Sequence, residues 1–425
     1  MAGLVQLSAK GFQDKYFTDN PQYTYFIKNF KKHTNYSKSF IDIDATTSSD
    51  FGQSARFVIS NDLGDMIKNM SLKFTLPSLN TSKVGYVESI GHAVIERIDL
   101  IIGGQIIETI PSDYLQIHSE QNVTQTKQWA LQNLIGKYPG KAGAGRLNSN
   151  PSTISFLGES TAPLDCYVDI PFYFFHNPEL AIPLCAITKQ HVEVDVKFRN
   201  LEDLIVDDVG ARPSITPENK HMDKIKLNCE MVFLDRDERE LLKNKKTDYI
   251  ITQLQQNIFS IPIGVNDFKC KTSFVNPVKE LYLIIQRENK RLSNDFCYAF
   301  DYDNPNILQG DKLTFFEQLN YLKLYLNNEE ILNDVTGGVI FLKAIQSSIH
   351  HARCQLIRRF YSYTFALEPE KPYPTGQVNM SLIKDQDFHL SLNELPTHSR
   401  ELRIYALSYN ILRIRDGFAK TIFTI

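Results

Sequence analysis

The segment from Tyr167 to Phe198 constrains the fold of this chain more than any other stretch. In its second half, from Val192 onward, apolar and charged side chains alternate. A period of two places the apolar side chains on one face of a β-strand and the charged side chains on the other. The first half is aromatic and apolar, and a proline-bounded segment, residues 177–184, separates the two halves. We therefore predict two strands joined by a turn, with Val194 facing a hydrophobic core.

The same pattern returns near the other end of the chain, in residues 360–392. An aromatic stretch again precedes a proline-rich turn, and an alternating stretch follows it, with Phe388, Leu390 and Leu392 on one face. Two further pairs of segments occur in the same order in both halves: residues 67–76 with 278–285, and the hairpins 94–108 with 322–332. This order indicates a duplicated, all-β architecture of two consecutive barrels rather than a short solenoid repeat.

The length of the chain supports a division into two domains. A chain of 425 residues exceeds what one hydrophobic core usually serves, so two domains of about 200 residues each are expected. Between the halves, residues 235–246 place acidic side chains early and basic side chains late, as the dipole of a helix favours. We predict these parts: a basic N-terminal arm at 1–40, a first barrel domain at 41–235, a linker helix at 236–255 and a second barrel domain at 256–425.

Long connections are predicted between some of the strands. Residues 112–135 are polar, low in glycine and spaced for a helix, which would be an insertion in a strand-to-strand loop. Residues 136–163 are rich in glycine and proline, which is typical of an exposed loop. Gly103-Gly104, in contrast, are typical of a tight two-residue hairpin turn. Together with residues 286–312, the long insertions are free to contact other molecules.

The N-terminal arm combines basic and aromatic residues. Residues 1–40 contain six lysines and two aspartates, a local charge of +4. The candidate contact residues of the arm are Lys28, Lys31, Lys32 and His33. A basic, aromatic segment can contact phosphate groups or a lipid surface. The alternative, which the sequence alone favours, is an arm that packs on the protein's own barrel or on a neighbouring molecule.

The sequence has no pattern typical of catalysis or metal binding. Motifs of zinc proteases, α/β-hydrolases, P-loop proteins and dinucleotide-binding proteins are missing. His350 and His351 are adjacent, so on a strand they would point to opposite faces, and His176 and His191 have no carboxylate–histidine cluster near them. A net charge of −3 gives no indication of a specific nucleic acid partner. We therefore predict a protein that is not an enzyme and holds no metal or cofactor.

The cysteines and the N-terminus indicate the compartment. The six cysteines are scattered without a C-x-x-C motif, so free buried thiols in a reducing compartment are predicted. They are Cys166, Cys185, Cys229, Cys270, Cys297 and Cys354. The N-terminus lacks the layout of a signal peptide, and no apolar run approaches the roughly 20 residues of a membrane span. We expect a soluble protein made in the cytosol.

Three motifs, in order along nearly the whole chain, are similar to those of one family. Residues 14–36 contain DKYFTDNP, YTYF and FKKHTNY, which look like an N-terminal signature. Residues 169–187 contain DIPFYFF and LAIPLCAI, a strand–turn–strand motif, and residues 402–414 contain LRIYA and YNILRI, which look like a closing strand. Together they resemble the double jelly-roll major capsid proteins of nucleocytoplasmic large DNA viruses.

The resemblance implies two jelly-roll barrels of about eight strands each, with short helices in loops and in the linker. It implies homotrimers whose six barrels form a pseudo-hexagonal capsomer of an icosahedral virion capsid, assembled in the host cytoplasm. The partners would be neighbouring capsomers and minor capsid proteins. In such a shell the N-terminal arm would lie towards the interior and contact minor capsid proteins or an internal membrane. The alternatives are a minor capsid paralogue or scaffold of the same fold, and a two-barrel glycan-binding protein.

Overall fold

The computed structural model describes residues 2–28, 31–79, 84–87, 89–136, 162–207, 219–288, 318–354, 360–393 and 399–424. Most of the predicted loops 136–163 and 286–312, and Cys297, lie outside these residues. The chain divides into two compact units, Met1–Asn35 and Tyr36–Ile425. The first unit contains two short helices, α1 (Ala2–Ser8) and α2 (Phe12–Thr18).

The first half of the second unit folds into two antiparallel sheets of four strands each. Its strands are β1 (Tyr36–Asp44), β2 (Ser54–Ile59), β3 (Met66–Leu76), β4 (Val84–Tyr86), β5 (Ile95–Ile102), β6 (Gln105–Pro111), β7 (Leu164–Asp169), β8 (Val192–Phe198), β9 (Ile205–Asp207) and β10 (Asp223–Leu234). Sheet 1A has the order β1-β10-β3-β7, and sheet 1B has the order β2-β8-β5-β6. The short strands β4 and β9 pair with each other.

The second half repeats this arrangement. Its strands are β11 (Thr247–Ile261), β12 (Asp267–Lys271), β13 (Pro277–Arg287), β14 (Leu319–Leu326), β15 (Glu329–Leu332), β16 (Phe360–Thr364), β17 (Val378–Asn379), β18 (Gln386–Leu392), β19 (Arg400–Arg415) and β20 (Phe418–Thr421). Sheet 2A has the order β11-β19-β13-β16 and is extended by β17 and β20, and sheet 2B has the order β12-β18-β14-β15.

The two halves share one topology. With the short strands β4, β9, β17 and β20 set aside, each half orders its described strands first-eighth-third-sixth in one sheet and second-seventh-fourth-fifth in the other. Two such facing antiparallel sheets make a jelly roll. The predicted all-β fold of two consecutive jelly-roll barrels is therefore confirmed. The predicted counterparts also match: β3 with β13, the hairpin β5-β6 with β14-β15, and β7 and β8 with β16 and β18.

The alternating stretches form the strands that the sequence predicts. Side chains of β8 and β18 alternate between buried and half-buried positions along their whole lengths. Val194 is 0% exposed and Leu390 is 2% exposed, and they face the cores of the first and second barrel. The apolar face of each strand is thus removed from water, which stabilises the barrel by roughly 25 cal/mol per Å² of apolar surface.

The hairpin turns of the two barrels have the same backbone conformation. Gly103 and Gly104 have φ angles of 58° and 81°, and Asn327 and Asn328 have φ angles of 50° and 67°. Glycine adopts this left-handed region freely, and asparagine tolerates it better than most residues do. Two positive φ angles in succession match the twist of the flanking strands, so each pair reverses the chain in two residues.

Helices lie in the connections. They are α3 (Ile90–Ala93), α4 (Ser112–Gln121), α5 (Gln125–Leu134), α6 (Arg236–Asn244) and α7 (Gln346–His350), with a π-helical turn at Phe341–Ile345 and short 3₁₀ turns at Asn61–Leu63, Pro178–Leu180, Leu201–Asp203 and Met380–Leu382. The predicted insertion at 112–135 contains α4 and α5. The predicted linker at 236–255 contains α6, whose first turn has Asp237 and Glu238 and whose last turn has Lys243. Strand β11 begins within that range, and β1 includes residues 36–40 of the predicted arm.

Some local predictions are wrong. In the segment from Tyr167 to Phe198, the first strand ends at Asp169, and the aromatic residues after it form turns. Pro171 explains this end, because proline cannot donate a hydrogen bond to a neighbouring strand. Cys354 is exposed, whereas the other described cysteines are buried as predicted: Cys166, Cys185, Cys229 and Cys270.

Candidate functional site

Strands β13 and β19 of sheet 2A, in the second barrel, are buried on both faces. Along β13, Leu281 and Leu283 face the core of the second barrel, whereas Tyr282 belongs to the hydrophobic cluster of the first barrel. Strand β19 alternates in the same way, with Ile404 in one cluster and Tyr405 in the other. The first barrel therefore covers the outer face of sheet 2A, and we call this contact the inter-barrel interface.

Helix α4 lies at the centre of the inter-barrel interface. Nine of its ten residues are buried, including the polar side chains of Asp113, Gln116 and Glu120. A helix that is buried on all sides needs a partner for each buried polar group, because water is no longer available to them. The second barrel supplies several of these partners.

An ionic cluster joins the start of α4 to strand β19. One carboxylate oxygen of Asp113 lies 2.7 Å from Nε of Arg403 and accepts a 2.7 Å hydrogen bond from the hydroxyl of Tyr405. The Arg403 guanidinium also donates to Glu401, at 3.1 Å, and to Gln286, at 2.5 Å. All five side chains are buried. A small rotation of one barrel against the other would leave a buried charge without its partner, so the cluster favours one orientation.

A second cluster surrounds His351. Its Nε2 lies 2.7 Å from a carboxylate oxygen of Glu280, and its Nδ1 lies 3.3 Å from Glu370. The other oxygen of Glu280 accepts a 2.8 Å hydrogen bond from Tyr282, whose ring packs edge-on against Tyr114 of α4. Burial alone lowers the pKa of His351, but the charges of the two glutamates and their hydrogen bonds outweigh it and raise this pKa to about 10. His351 is therefore an imidazolium at neutral pH.

This pKa predicts how stability depends on pH. Since the folded state raises the pKa of His351 from 6.5 to about 10, its proton stabilises the fold fully below pH 6.5, and this contribution is lost as pH rises to about 10. In His351→Gln, we expect a loss of stability of a few kcal/mol at pH 6 that shrinks towards zero at pH 10. Thermal melts at intervals between these values measure the difference.

His350→Gln is the matched control for this prediction. His350 is the adjacent histidine, and its Nδ1 lies 3.0 Å from the backbone carbonyl of Leu367 rather than from a carboxylate. The difference between this control and the wild type should stay constant over the same range. If the difference in thermal midpoint between His351→Gln and the wild type is the same from pH 6 to pH 10, the proton on His351 does not stabilise the fold.

The far end of α4 is also tied to the second barrel. Gln121 donates hydrogen bonds to the hydroxyls of Ser347 and Ser362, at 3.1 Å and 2.9 Å. The guanidinium of Arg353 lies 2.7 Å from a carboxylate oxygen of Glu120, which is fully buried. Both ends of α4 are thus held by residues more than two hundred positions away in sequence. The helix fixes the relative position of the two barrels.

A cleft of about 350 Å³ lies beside the hairpin β5-β6. Its walls come from β6, from β11, from the last residue of β20 and from the residues after it. Glu108 lines it and accepts a hydrogen bond from the backbone N–H of Tyr173. Burial raises the pKa of Glu108 to about 8, although the N–H of Tyr173 and the charge of Lys279 act in the opposite direction. In the described ranges, no group of three or more histidine, cysteine or acidic side chains converges to hold a metal ion.

The residues predicted as assembly contacts lie in the first unit. Lys28, Lys31, Lys32 and His33 are exposed and lie outside regular secondary structure. His33 makes a 2.7 Å contact through Nδ1 with the backbone carbonyl of Thr34.

Within the described residues, none of the helices is long and apolar enough to cross a bilayer.

Sequence reasoning missed the inter-barrel interface. His350 and His351 were expected on a strand, but they lie at the end of α7 and just after it, so this prediction is wrong. Two features of the sequence are consistent with this interface. The helix at 112–121 is mostly polar, and the largely apolar strands β13 and β19 contain charged residues, among them Glu280 and Arg403. A charge inside an apolar strand indicates a buried partner.

Comparison with known proteins agrees with the duplicated architecture. Residues 24–235 match the family described as major capsid protein N-terminus, and residues 238–420 match the large eukaryotic DNA virus major capsid protein family. The major capsid protein of Pyramimonas orientalis virus is 29% identical over 426 residues, covering 98% of this chain and 97% of that protein. That of Paramecium bursaria Chlorella virus 1 is 24% identical, with 98% of each chain covered.

Solved structures share the fold. A chain of the PBCV-1 virus capsid, in a quasi-atomic model, superimposes with a TM-score of 0.77 at 19% identity, covering 95% of this chain and 100% of that chain. The Faustovirus major capsid protein superimposes with a TM-score of 0.72 at 12% identity, covering 97% and 96%. The first family match ends just before the linker helix α6, and the second begins within it. Together the two matches span both barrels. This chain therefore belongs to the major capsid proteins of the nucleocytoplasmic large DNA viruses.

Proposed function

We propose that this chain is a structural shell protein that forms homotrimeric, pseudo-hexagonal capsomers of an icosahedral capsid. The observation that supports this proposal is the pair of barrels with one strand order, held side by side by α4. Three copies of such a chain supply six similar barrels, so a threefold ring can fill a lattice site with six neighbours. The chemistry needed is surface matching, and the charged groups of the interface serve orientation rather than catalysis.

The experiment that tests this proposal is a measurement of mass in solution. We expect purified protein to have three times the 48.8 kDa mass of one chain, because exposed apolar side chains of the second barrel, described below, need a neighbour to cover them. Native mass spectrometry or light scattering at micromolar concentration gives the answer. A monomer would contradict the capsomer, whereas a trimer that also forms closed shells with its partners would support it.

We further propose that the N-terminal arm mediates assembly. Six lysines and two aspartates give residues 1–40 a local charge of +4, and Lys28, Lys31, Lys32 and His33 are exposed. The arm lies at the interior side of the shell, where it contacts minor capsid proteins or an internal membrane. Neighbouring capsomers are the other partners, and assembly takes place in the host cytoplasm. Contacts between exposed charges are weak individually and are screened by salt.

Deleting residues 1–35 tests this role. We expect a folded trimer with little change in its thermal midpoint, because the deletion ends before strand β1 begins at Tyr36. Shell assembly, measured by electron microscopy or light scattering, should weaken. Substituting Lys28, Lys31 and Lys32 with glutamine should have the same effect and should reduce the salt dependence of assembly. A large drop in the thermal midpoint with loss of the trimer would show instead that the arm is part of the fold.

A further inference from the structure

Sheet 1A presents a face that its counterpart in the second barrel does not. On the outer face of sheet 2A, strands β13 and β19 are buried by the first barrel, and the edge strand β11 keeps an exposed Ile258, at 53%. Along β3, in contrast, inward side chains are buried and outward side chains are half-buried. Strand β1 has an exposed outward Phe40, at 64%. Two faces with the same strand order therefore differ at their third strands: the outward side chains of β13 are buried by the first barrel, whereas those of β3 are half-buried.

The outer face of sheet 1A is nonetheless well ordered. Lys73 pairs with Asp42 at 2.8 Å, and Asn228 donates to the same carboxylate at 2.5 Å. Together with Phe40, these side chains span strands β1, β10 and β3. Such a network holds side chains in fixed positions before any partner arrives, so less conformational entropy is lost on binding. The outer face of sheet 1A therefore presents side chains whose positions are already fixed in the single chain.

The second barrel has a helical segment with exposed apolar side chains. We call the residues from Phe341 to His350 the second-barrel helical segment, and it connects the fifth and sixth strands of that barrel, as α4 does in the first. It buries Leu342, Lys343, Gln346 and Ser347. Its other side carries the exposed apolar side chains of Ile345, at 41%, and Ile349, at 65%, and Ile340, which directly precedes the segment, is 76% exposed. Helix α4 has no such exposed row, because sheet 2A covers it.

We propose that the second-barrel helical segment of one copy packs on the outer face of sheet 1A of a second copy. This contact would repeat, between chains, the contact that α4 makes with sheet 2A within the chain. Each copy then offers one segment and one face, and such head-to-tail contacts close into a ring. Because each chain supplies two of six barrel positions, three copies complete the ring. The inference rests on the trimer proposed above and adds the surfaces that form it.

The double substitution Ile345→Lys and Ile349→Lys tests the segment. Both side chains are exposed in the single chain, so the variant should keep its circular dichroism spectrum and lose the trimer, leaving a 48.8 kDa monomer. Leu382→Lys is the matched control. Leu382 is 76% exposed, and it lies outside the helical segment, in the connection from β16 to β18. The control should remain a trimer.

Phe40→Lys tests the receiving face independently. It should also give a folded monomer, since Phe40 is mostly exposed. Mixing Phe40→Lys with the Ile345→Lys/Ile349→Lys variant should restore one contact. It forms between the intact helical segment of Phe40→Lys and the intact sheet 1A face of the double variant. The mixture should therefore form two-chain complexes but no trimers, which native mass spectrometry resolves.

The outcomes separate this inference from the proposed function. A trimeric wild type whose segment and face variants both remain trimers at micromolar concentration would overturn the assigned surfaces and leave the capsomer intact. A mixture without two-chain complexes would also overturn the head-to-tail contact. A monomeric wild type would overturn the trimer and this inference together.

Discussion

Replacing Val194 or Leu390 with aspartate should abolish folded, soluble protein. Val194 is 0% exposed and lies in β8, and Leu390 is 2% exposed and lies in β18. Both strands have a neighbouring strand on each side in their sheets. A carboxylate there would lie among apolar side chains without a partner, at a cost of several kcal/mol. Since a domain is typically stable by only about 5–15 kcal/mol, most of its stability would be lost. Soluble yield and mass in solution measure the result.

His389→Asp is the control for Leu390→Asp. His389 lies on the outward side of the same strand, and its cross-strand neighbours are Lys269 and Lys323. A carboxylate at this position faces two lysines, so it should be tolerated. The control should give a soluble trimer with a thermal midpoint near that of the wild type. If Leu390→Asp also folds and assembles normally, the assignment of the inward face of β18 is wrong.

Removing the charge of Arg403 should separate the barrels. In Arg403→Met, the buried carboxylates of Asp113 and Glu401 both lose their contact with the guanidinium, and breaking a buried ion pair typically costs about 3–5 kcal/mol. We expect a large drop in the thermal midpoint. We also expect increased amide exchange in α4 before the barrels themselves unfold, because the lost ion pair between Asp113 and Arg403 joins α4 to the second barrel. Differential scanning calorimetry and hydrogen exchange detect the two effects.

The same strand supplies a control for this substitution. Arg413 also lies in β19 and makes a two-pronged contact with Asp248, at 2.9 Å and 2.8 Å, but that pair is at the surface. Arg413→Met should change the thermal midpoint little, because exposed ion pairs contribute little to stability. Adding Asp113→Asn to Arg403→Met should recover part of the loss, since it removes a buried charge that has lost its contact with the guanidinium. Equal destabilisation by both arginine substitutions would contradict a special role for the interface.

Much of the fold is predictable from local patterns. The alternation of Val192, Val194 and Val196 determines the inward face of β8 because a strand has a period of two. Gly103 and Gly104 determine the hairpin because their φ angles are positive. The acidic start and basic end of α6 determine a helix between the barrels. In each case the physical cause lies within a few residues of the element, so sequence alone contains it.

The inter-barrel interface could not be predicted in this way. The polar residues of α4, such as Asp113 and Glu120, indicate an exposed helix when their neighbours in sequence are considered alone. They are buried because Arg403 and Arg353 approach from the other barrel. Likewise, the position of His351 depends on Glu280. Partners that are distant in sequence leave no periodic pattern, so the burial of a paired charge appears only in three dimensions.

The pairing of β1 has a consequence for synthesis on the ribosome. Tyr36 pairs with Leu234, and Asp44 pairs with Lys226, so the first strand of the barrel finds its partner only after nearly the whole barrel has been translated. At ~5–20 residues per second, β1 stays without this partner for tens of seconds or less. Its exposed backbone can pair with other nascent chains during that time. Because all eight main strands of the first barrel precede α6, that barrel can close while the second is still being made. Its outer surface, including α4, is then a finished template on which the second barrel folds.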